Sequence, residues 1–289
     1  MVMQFIINGL ITGILYSLLA IGFALVYNAT KVFHIAAAAL YVFAAYIFHL
    51  FAVTLSFPVL VAGCLSLVLT SGLSLGMDVS VYRPLERRGA SGDVAMIASI
   101  GMMIIIVNLL IVFFGNEAES LKKTAADVVL FQRFQMSSPQ ILQASVGGLT
   151  ILLFLLFLEK ARWGIHLRAL SADRTLYEML GHDMTSARNI IFLASGAFIA
   201  LSSCLSVYDF GVDVHKGLDV LVYAIVAMIL GGTGRFGACV AGGLTLGLLQ
   251  SLSVYFFSSH WEGAITFLLL LLVLFLRPQG IAGYKERRV

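Results

Sequence analysis

The run Gly232-Thr-Gly-Arg-Phe-Gly237 has the glycine spacing of a loop that binds the pyrophosphate of a dinucleotide. Such a loop needs a β-strand before it and an acidic residue about 20 positions after it. Here an apolar stretch typical of a membrane helix precedes the glycines, and the next acidic residue is Glu262. Dinucleotide binding is therefore excluded, and the run is interpreted as a break between two apolar segments.

Two roles for this break stay open. Interrupted helices in transporters expose backbone groups to a polar cavity. That role would place the glycines of the break in a substrate pathway, namely Gly231, Gly232, Gly234 and Gly237. Alternatively, small residues let membrane helices pack closely, and the same glycines would then be structural.

Other candidate residues for chemistry are sparse. Asn108 lies inside an apolar stretch, where an amide either lines a pathway or joins two helices by a hydrogen bond. His34 and His49 have no matching cluster of Cys, Asp or Glu, which argues against a metal site. No convergent ionisable residues and no P-loop sequence are present. The sequence therefore predicts a protein that is not an enzyme and has no catalytic residues.

The composition explains this scarcity, because the chain is built for a membrane. Of its 289 residues, 60% are hydrophobic and 11% are charged, whereas soluble domains carry about 25% charged residues. A soluble domain, a disordered chain and a nucleic-acid-binding protein are thus excluded. Since one membrane-spanning helix needs about 20 apolar residues, the chain has room for roughly eight or nine.

Nine apolar stretches are predicted to be helices of one transmembrane domain over residues 1–289. The chain would then be an all-α integral membrane protein with eight to ten crossings. The short stretch Leu218–Leu230 could instead be re-entrant. The nine are Gln4–Tyr27, Val32–Leu55, Val59–Met77, Val94–Phe114, Ile141–Leu158, Asn189–Val207, Leu218–Leu230, Gly237–Phe257 and Gly263–Leu276.

The positive charges orient these helices. With nine spans, most of the 18 Lys and Arg residues fall on one side, and positive residues stay cytoplasmic. The C-terminus is therefore predicted to be cytoplasmic, loop 115–140 extracytoplasmic and loop 159–188 cytoplasmic. Loop 115–140 is either a solvated connector or a docking surface for an external partner.

Loop 159–188 contains small and apolar residues at helical spacing, followed by Gly181. A helix commonly ends at a glycine in the left-handed conformation, so the sequence predicts a short amphipathic helix ending there. It is either an interfacial helix or a helix that docks into another protein.

The segments Ala20–Tyr46 and Ala224–Gln250 share a pattern, since each has an apolar run, a short break with one cation and a second small-residue run. Corresponding breaks in two halves of a chain point to a transporter pathway. An inverted internal repeat with broken helices would place the two breaks on opposite sides, whereas nine spans place both on one side. Either the span count is wrong by one or the similarity is accidental.

The sequence resembles the membrane permeases of bacterial ABC importers for branched-chain amino acids, whose relatives carry urea and short amides. The pieces that carry this resemblance run in family order from end to end. They are Tyr82-Arg-Pro-Leu-Glu-Arg-Arg-Gly-Ala90, Ile100-Gly101 with Asn108, Leu167-Arg-Ala-Leu170, Asp173, Leu180-Gly181, Ile229-Leu-Gly-Gly-Thr-Gly-Arg-Phe-Gly237 with Gly242-Gly243, and Leu276-Arg-Pro-Gln-Gly280.

The resemblance implies the permease fold of an ABC importer in the bacterial inner membrane. It implies a second, homologous or identical permease subunit, two cytoplasmic ATPases that use ATP and Mg²⁺, and a periplasmic substrate-binding protein. This chain would hold no cofactor. Besides these subunits, it would contact a small-molecule substrate and the lipid bilayer. The region that matches the ATPase-coupling loop contains Arg168, Ala172, Asp173, Leu176 and Gly181.

One departure concerns the second stretch, where the family usually carries Phe-Ala-His-Gly. Here Ile35-Ala-Ala-Ala-Ala39 follows His34, so the family His falls on Ala37. His34 and Ala37 are therefore added to the predicted pathway. The rival hypothesis is a stand-alone secondary transporter or channel for a small polar solute, which should carry charged coupling sites inside the membrane.

Overall fold

The computed structural model describes residues 2–118, 128–131, 134–172, 174–181, 183–232, 234–256, 261–276 and 280. Each of the nine apolar stretches is helical. The helices are α1 (Val2–Thr30), α2 (Ala37–His49), α3 (Val59–Met77), α4 (Arg83–Arg87), α5 (Gly92–Phe114), α6 (Ser138–Leu142), α7 (Gly148–Lys160), α8 (Arg162–Ala172), α9 (Arg174–Met179), α10 (Met184–Phe210), α11 (Lys216–Gly231), α12 (Phe236–Phe256) and α13 (Glu262–Leu276).

Seven helical segments within the described residues are long and apolar enough to cross a membrane. Three of these segments contain a single π-helical turn. The turn Leu50–Thr54 extends α2, Asp78–Tyr82 joins α3 to α4, and Gln143–Gly147 joins α6 to α7. The two remaining stretches form the shorter helices α11 and α13, of 16 and 15 residues. The prediction of an α-helical, multi-pass membrane protein is confirmed.

A short β-hairpin departs from the all-helical expectation. Strand β1 (Val128–Phe131) pairs antiparallel with β2 (Phe134–Ser137), with Val128 opposite Ser137. Both strands lie in loop 115–140, and β1 is the apolar run of that loop. β-branched and aromatic residues favour strands, which accounts for the pairing.

The chain divides into two compact units. Unit 1 comprises Met1–Ala24, Thr124–Arg168 and Val222–Val289, and unit 2 comprises Leu25–Lys123 and Ala169–Leu221. In unit 1, α1 and α12 approach so closely that a Cβ on Gly247 would overlap the backbone of Gly13. The Ser17 hydroxyl donates to the Val240 carbonyl, 3.0 Å away, across the same interface.

Unit 2 is organised around α2, α3, α5 and α10. Its core contains large buried side chains at one end of these helices, including Tyr46, Phe48 and Val207. The Tyr46 and Phe114 rings contact each other, with centroids 5.0 Å apart. Unit 2 also contains the buried polar residues His34, Ser66, Ser74 and Asp78.

Candidate functional site

A buried polar stripe runs along α3 and the π-helical turn after it. The side chains that form it recur every four residues, as a helix requires for one face. In order they are Ser66, Thr70, Ser74, Asp78 and Tyr82, all buried.

Hydroxyl groups of this stripe bond to neighbouring helices. The Ser66 Oγ donates to the Ala44 carbonyl of α2 over 2.8 Å. The Ser74 Oγ donates to the Phe192 carbonyl of α10 over 2.9 Å. Hydrogen bonds of this kind hold membrane helices together where lipid removes the hydrophobic driving force.

Tyr82 ends the stripe next to His34, which precedes α2 in the chain. The His34 Nδ1 lies 2.8 Å from the Tyr82 hydroxyl. That hydroxyl donates to Ser99 Oγ over 2.9 Å, and Ser99 Oγ accepts the Ala36 N–H over 2.8 Å.

The Nε2 atom of His34 is buried and has no hydrogen-bond partner within the described part of the chain. Burial lowers the pKa of His34 to about 4, since the apolar surroundings disfavour the charged imidazole. Both amide atoms of Asn28 are also buried without a described partner. Within the described residues, unit 2 thus contains buried, neutral side chains with polar atoms that make no hydrogen bond.

The other predicted pathway residues of unit 2 lie in different surroundings. Ala37 is buried in the first turn of α2, and its N–H donates to the His34 carbonyl over 3.0 Å. Asn108 lies on the exposed face of α5, and its Nδ2 donates to the Ile104 carbonyl of the same helix. The structure therefore places Ala37 directly beside His34 and directs the Asn108 amide to its own helix.

The glycine break of unit 1 lies between α11 and α12, as the sequence predicts. Gly232 and Gly234 have positive φ angles of 112° and 97°. A Cβ on Gly231 would overlap the Ala238 carbonyl oxygen, whereas a Cβ on Gly237 would meet only the Leu155 side chain at 3.7 Å. Close packing accounts for Gly231, and chain reversal accounts for Gly232 and Gly234.

Asp78, at the end of α3, is the centre of an ion-pair cluster. Its Oδ2 accepts the Arg83 Nε over 2.7 Å, and its Oδ1 accepts the Arg188 Nε over 2.7 Å. The Asp78 and Arg188 side chains are 0% and 6% exposed. Removing one member of such a buried pair leaves a charge uncompensated and costs about 3–5 kcal/mol.

The cluster continues outward through Glu86 of α4. Glu86 pairs with Arg188 through one oxygen and with Arg174 of α9 through the other, the latter at 2.5 Å. Arg174 also contacts Glu178 of its own helix at 3.3 Å. With Arg174 and Glu86 31% and 42% exposed, this outer pair contributes about 1 kcal/mol or less.

α9 presents an apolar surface to its surroundings. Leu176, Met179 and Leu180 are exposed, Met179 to 78%, whereas Tyr177 between them is buried. We call these three exposed residues the α9 surface. Gly181 follows with a φ of +79°, which confirms the predicted helix end.

The remaining residues of the predicted coupling segment divide between helices. Arg168 and Ala172 are both exposed on α8. Asp173 lies outside the described residues. The described residues on both sides of position 173, Arg162–Ala172 and Arg174–Met179, are helical.

Sequence reasoning missed the α3 stripe and the ion-pair cluster. The prediction rested on amides and histidines inside apolar stretches and did not include hydroxyl side chains. The four-residue spacing from Ser66 to Asp78 was the available signal. The partners Glu86 and Arg188 are far apart in the sequence, so their pairing leaves no sequence signal. Among the described residues, no group of three or more His, Cys, Asp or Glu side chains is placed to hold a metal ion.

These features define a multi-pass helical membrane protein. Buried hydrogen bonds and ion pairs join its spans, and a helix with an exposed apolar surface lies outside them. A family model described as "Branched-chain amino acid transport system / permease component" matches residues 5–274. The chain therefore belongs to this permease family.

Two relatives cover the chain almost from end to end. The high-affinity branched-chain amino acid transport system permease protein BraD of Pseudomonas aeruginosa is 29% identical, over 98% of this chain and 96% of the relative. The permease protein LivH of the corresponding Escherichia coli system is 27% identical, also over 98% of this chain and 96% of the relative.

One solved structure shares the fold. A chain of PsaBC from Streptococcus pneumoniae, in complex with Fab, superposes with a TM-score of 0.52 and 14% identity. The match covers 96% of this chain and 92% of that chain. At this identity the likeness concerns the fold alone.

Proposed function

We propose that this chain is the translocation subunit of an ABC importer for branched-chain amino acids or similar small amino acids and amides. The observation that carries the proposal is the family match over residues 5–274. It is supported by BraD and LivH, whose named substrates are branched-chain amino acids and whose lengths the chain covers almost completely.

Separate subunits would supply the energy and the substrate. The chain has no P-loop, so ATP and Mg²⁺ would be used by two cytoplasmic ATPases. A second permease subunit, homologous or identical, would complete the pathway, and a periplasmic binding protein would deliver the substrate. The chain itself is proposed to hold no cofactor and to perform no catalysis.

In the proposed orientation, the ion-pair cluster and the C-terminus lie on the cytoplasmic side of a bacterial inner membrane. The charge distribution along the chain supports it. The cluster adds support, because it joins Glu86 to Arg174 and Arg188. The loops that contain these residues must therefore lie on the same side, as the nine-span topology requires.

The ATPase contact is proposed to be the α9 surface. Three adjacent exposed apolar residues at the end of a short helix suit insertion into a groove of a partner. The Arg174–Glu86 ion pair joins the same helix to α4. Arg168, Ala172 and Asp173 are proposed to flank this contact.

The substrate pathway is proposed to include His34, Ala37 and Asn108 in unit 2, and the glycine break in unit 1. His34 is the best supported member, because its buried Nε2 atom has no described partner. A neutral imidazole nitrogen can form a hydrogen bond with a polar group of a small solute. The change from the family His to Ala37 leaves more space beside it.

Uptake in cells tests the substrate assignment. In a strain lacking this chain, plasmid-encoded protein should restore binding-protein-dependent uptake of labelled leucine, and unlabelled isoleucine or valine should compete. If acetamide or urea abolishes the restored uptake and isoleucine does not, the substrate class would shift to amides. Unrestored leucine and amide uptake, with the protein present in the membrane, would contradict the proposal.

A further inference from the structure

Glu86 occupies a special position in the ion-pair cluster, because its two oxygens contact arginines from two different helices. One oxygen accepts Arg174 of α9 at 2.5 Å, and the other accepts Arg188 of α10. α9 is a short helix that carries the exposed α9 surface, whereas α10 is a long apolar helix of 27 residues. Glu86 therefore connects the proposed docking helix to a membrane span.

Each arginine also has a second partner on its own side of Glu86. Arg188 retains the buried carboxylate of Asp78 at 2.6 Å, and Arg174 retains Glu178 at 3.3 Å. If Glu86 lost its charge, neither arginine would be left without a carboxylate. The cluster can therefore lose this one connection without leaving a buried charge unpaired.

The two ends of the cluster also differ in burial. The Arg188–Asp78 pair is enclosed, while Arg174 and Glu86 are partly solvated. Water can replace an exposed ion pair at small cost, but it cannot replace an enclosed one. The inner end is thus fixed to the spans, and the outer end is able to engage and release.

We propose that Glu86 is a positioning residue that transmits displacement of the α9 surface to α10. When the partner moves α9, the Arg174–Glu86 contact pulls on Glu86, and the Glu86–Arg188 contact passes the movement to α10. This inference rests on the proposed function of the α9 surface. It adds a specific route for the movement, through side chains that the α9 surface itself does not include.

Glu86→Gln removes the link while preserving side-chain size. Arg174→Gln cuts the same link from its other end. Glu178→Gln is the matched control, because it removes a carboxylate from the same arginine without disconnecting α9 from Glu86. Each variant is placed in the complete complex with ATPases, second permease and binding protein, and substrate transported per ATP hydrolysed is measured.

We expect Glu86→Gln and Arg174→Gln each to lower transport per ATP by roughly fivefold or more, the lower range of typical coupling between sites. Glu178→Gln should stay within about twofold of the parent, since its exposed pair contributes little. Glu86→Asp, which keeps the charge, should recover most of the loss. A ratio unchanged in both link variants, or reduced equally by Glu178→Gln, would overturn the inference.

A cross-link separates failure of this inference from failure of the proposed function. A cysteine replacing Met179 should cross-link to the ATPase in the parent and, with equal yield, in Glu86→Gln. No cross-link in the parent would overturn the proposed ATPase contact itself. A cross-link in the parent that Glu86→Gln abolishes, or a variant that fails to assemble, would show that Glu86 maintains structure and does not transmit movement.

Discussion

The two units of the molecule solve the same problem, close packing of apolar helices, with different residues. In unit 1, α1 and α12 approach mainly through glycines, with backbone against backbone at Gly13 and Gly247, and the Ser17 and Ser251 hydroxyls add neutral hydrogen bonds across the same interface. In unit 2, α3 joins its neighbours through hydroxyl groups and a buried ion pair. A glycine contact depends on shape alone, whereas a polar contact also depends on charge, protonation and solvent.

This difference indicates where regulation of transport can reside. A backbone contact between glycines gives tight packing and has no second state that a proton or a charge could select. A carboxylate shared by two arginines can lose one of them and keep the other. Unit 2 thus holds ion pairs that a change in charge or solvent can alter, whereas the glycine contacts of unit 1 fix helix spacing.

The largest effect is expected from a bulky residue at a glycine contact of unit 1. Gly247→Leu would drive four carbon atoms into the backbone of α1. Smaller insertions into packed cores already cost about 1–3 kcal/mol, so we expect no folded protein. Yield of monodisperse protein after detergent extraction measures this.

The matched control for that substitution is Gly72→Leu, because Gly72 lies on the helix α3 with no atom within 4 Å of a Cβ. This variant should be recovered at the parental yield. Equal yields for the Gly247 and Gly72 variants would contradict the contrast between the units.

Loss of the buried carboxylate in unit 2 is expected to have the next largest effect. Asp78→Asn removes the carboxylate that pairs with Arg83 and leaves Arg188 with the partly exposed Glu86, and it should lower the free energy of unfolding by about 3–5 kcal/mol. Denaturant titration in detergent measures the change. Asp93→Asn, at an exposed carboxylate in the first turn of α5, is the control, and a loss of the same size there would refute the assignment.

Acidification should destabilise unit 2 through His34. The pKa of His34 is about 4 in the folded chain, against about 6.5 when unfolded. Between these pH values the unfolded state binds more protons, so stability falls as the pH falls. The loss should reach about 3 kcal/mol near pH 4.

Thermal unfolding at pH 7.5 and pH 4.5 measures this loss. His34→Gln should reduce the difference between the two midpoints. His215→Gln, at an exposed histidine, should preserve it. A pH dependence that survives His34→Gln unchanged would show that another group causes it.

The smallest effect is expected from single hydroxyls of the α3 stripe. Ser74→Ala removes the hydrogen bond to α10, and interhelical bonds of this kind contribute about 0.6 kcal/mol on average. Ser80→Ala, whose hydroxyl bonds only within its own helix segment, should change the unfolding free energy less. An effect of Ser80→Ala equal to that of Ser74→Ala would remove the argument for a stabilising stripe.

Much of the fold was predictable because helices in lipid satisfy their own backbone hydrogen bonds. Apolar run length therefore locates α1, α5 and α10 directly. The hairpin of β1 and β2 was missed because two four-residue strands give little periodicity.

The candidate site was predictable only where its signal is local. Gly181 gave such a signal, since a helix end needs only one residue in the left-handed conformation. The contacts of Glu86 with Arg174 and Arg188 join residues 88 and 102 positions away. Such pairings depend on how spans assemble, which the order of residues in one sequence does not reveal.

Uptake by purified protein in liposomes tests the central claim most directly, namely that separate ATPases drive transport through this chain. The complete complex, with ATP inside and loaded binding protein outside, should accumulate labelled leucine against its gradient. The isolated chain should accumulate none, with or without a proton or sodium gradient. Uphill uptake by the isolated chain under an ion gradient would contradict the account and establish a secondary transporter.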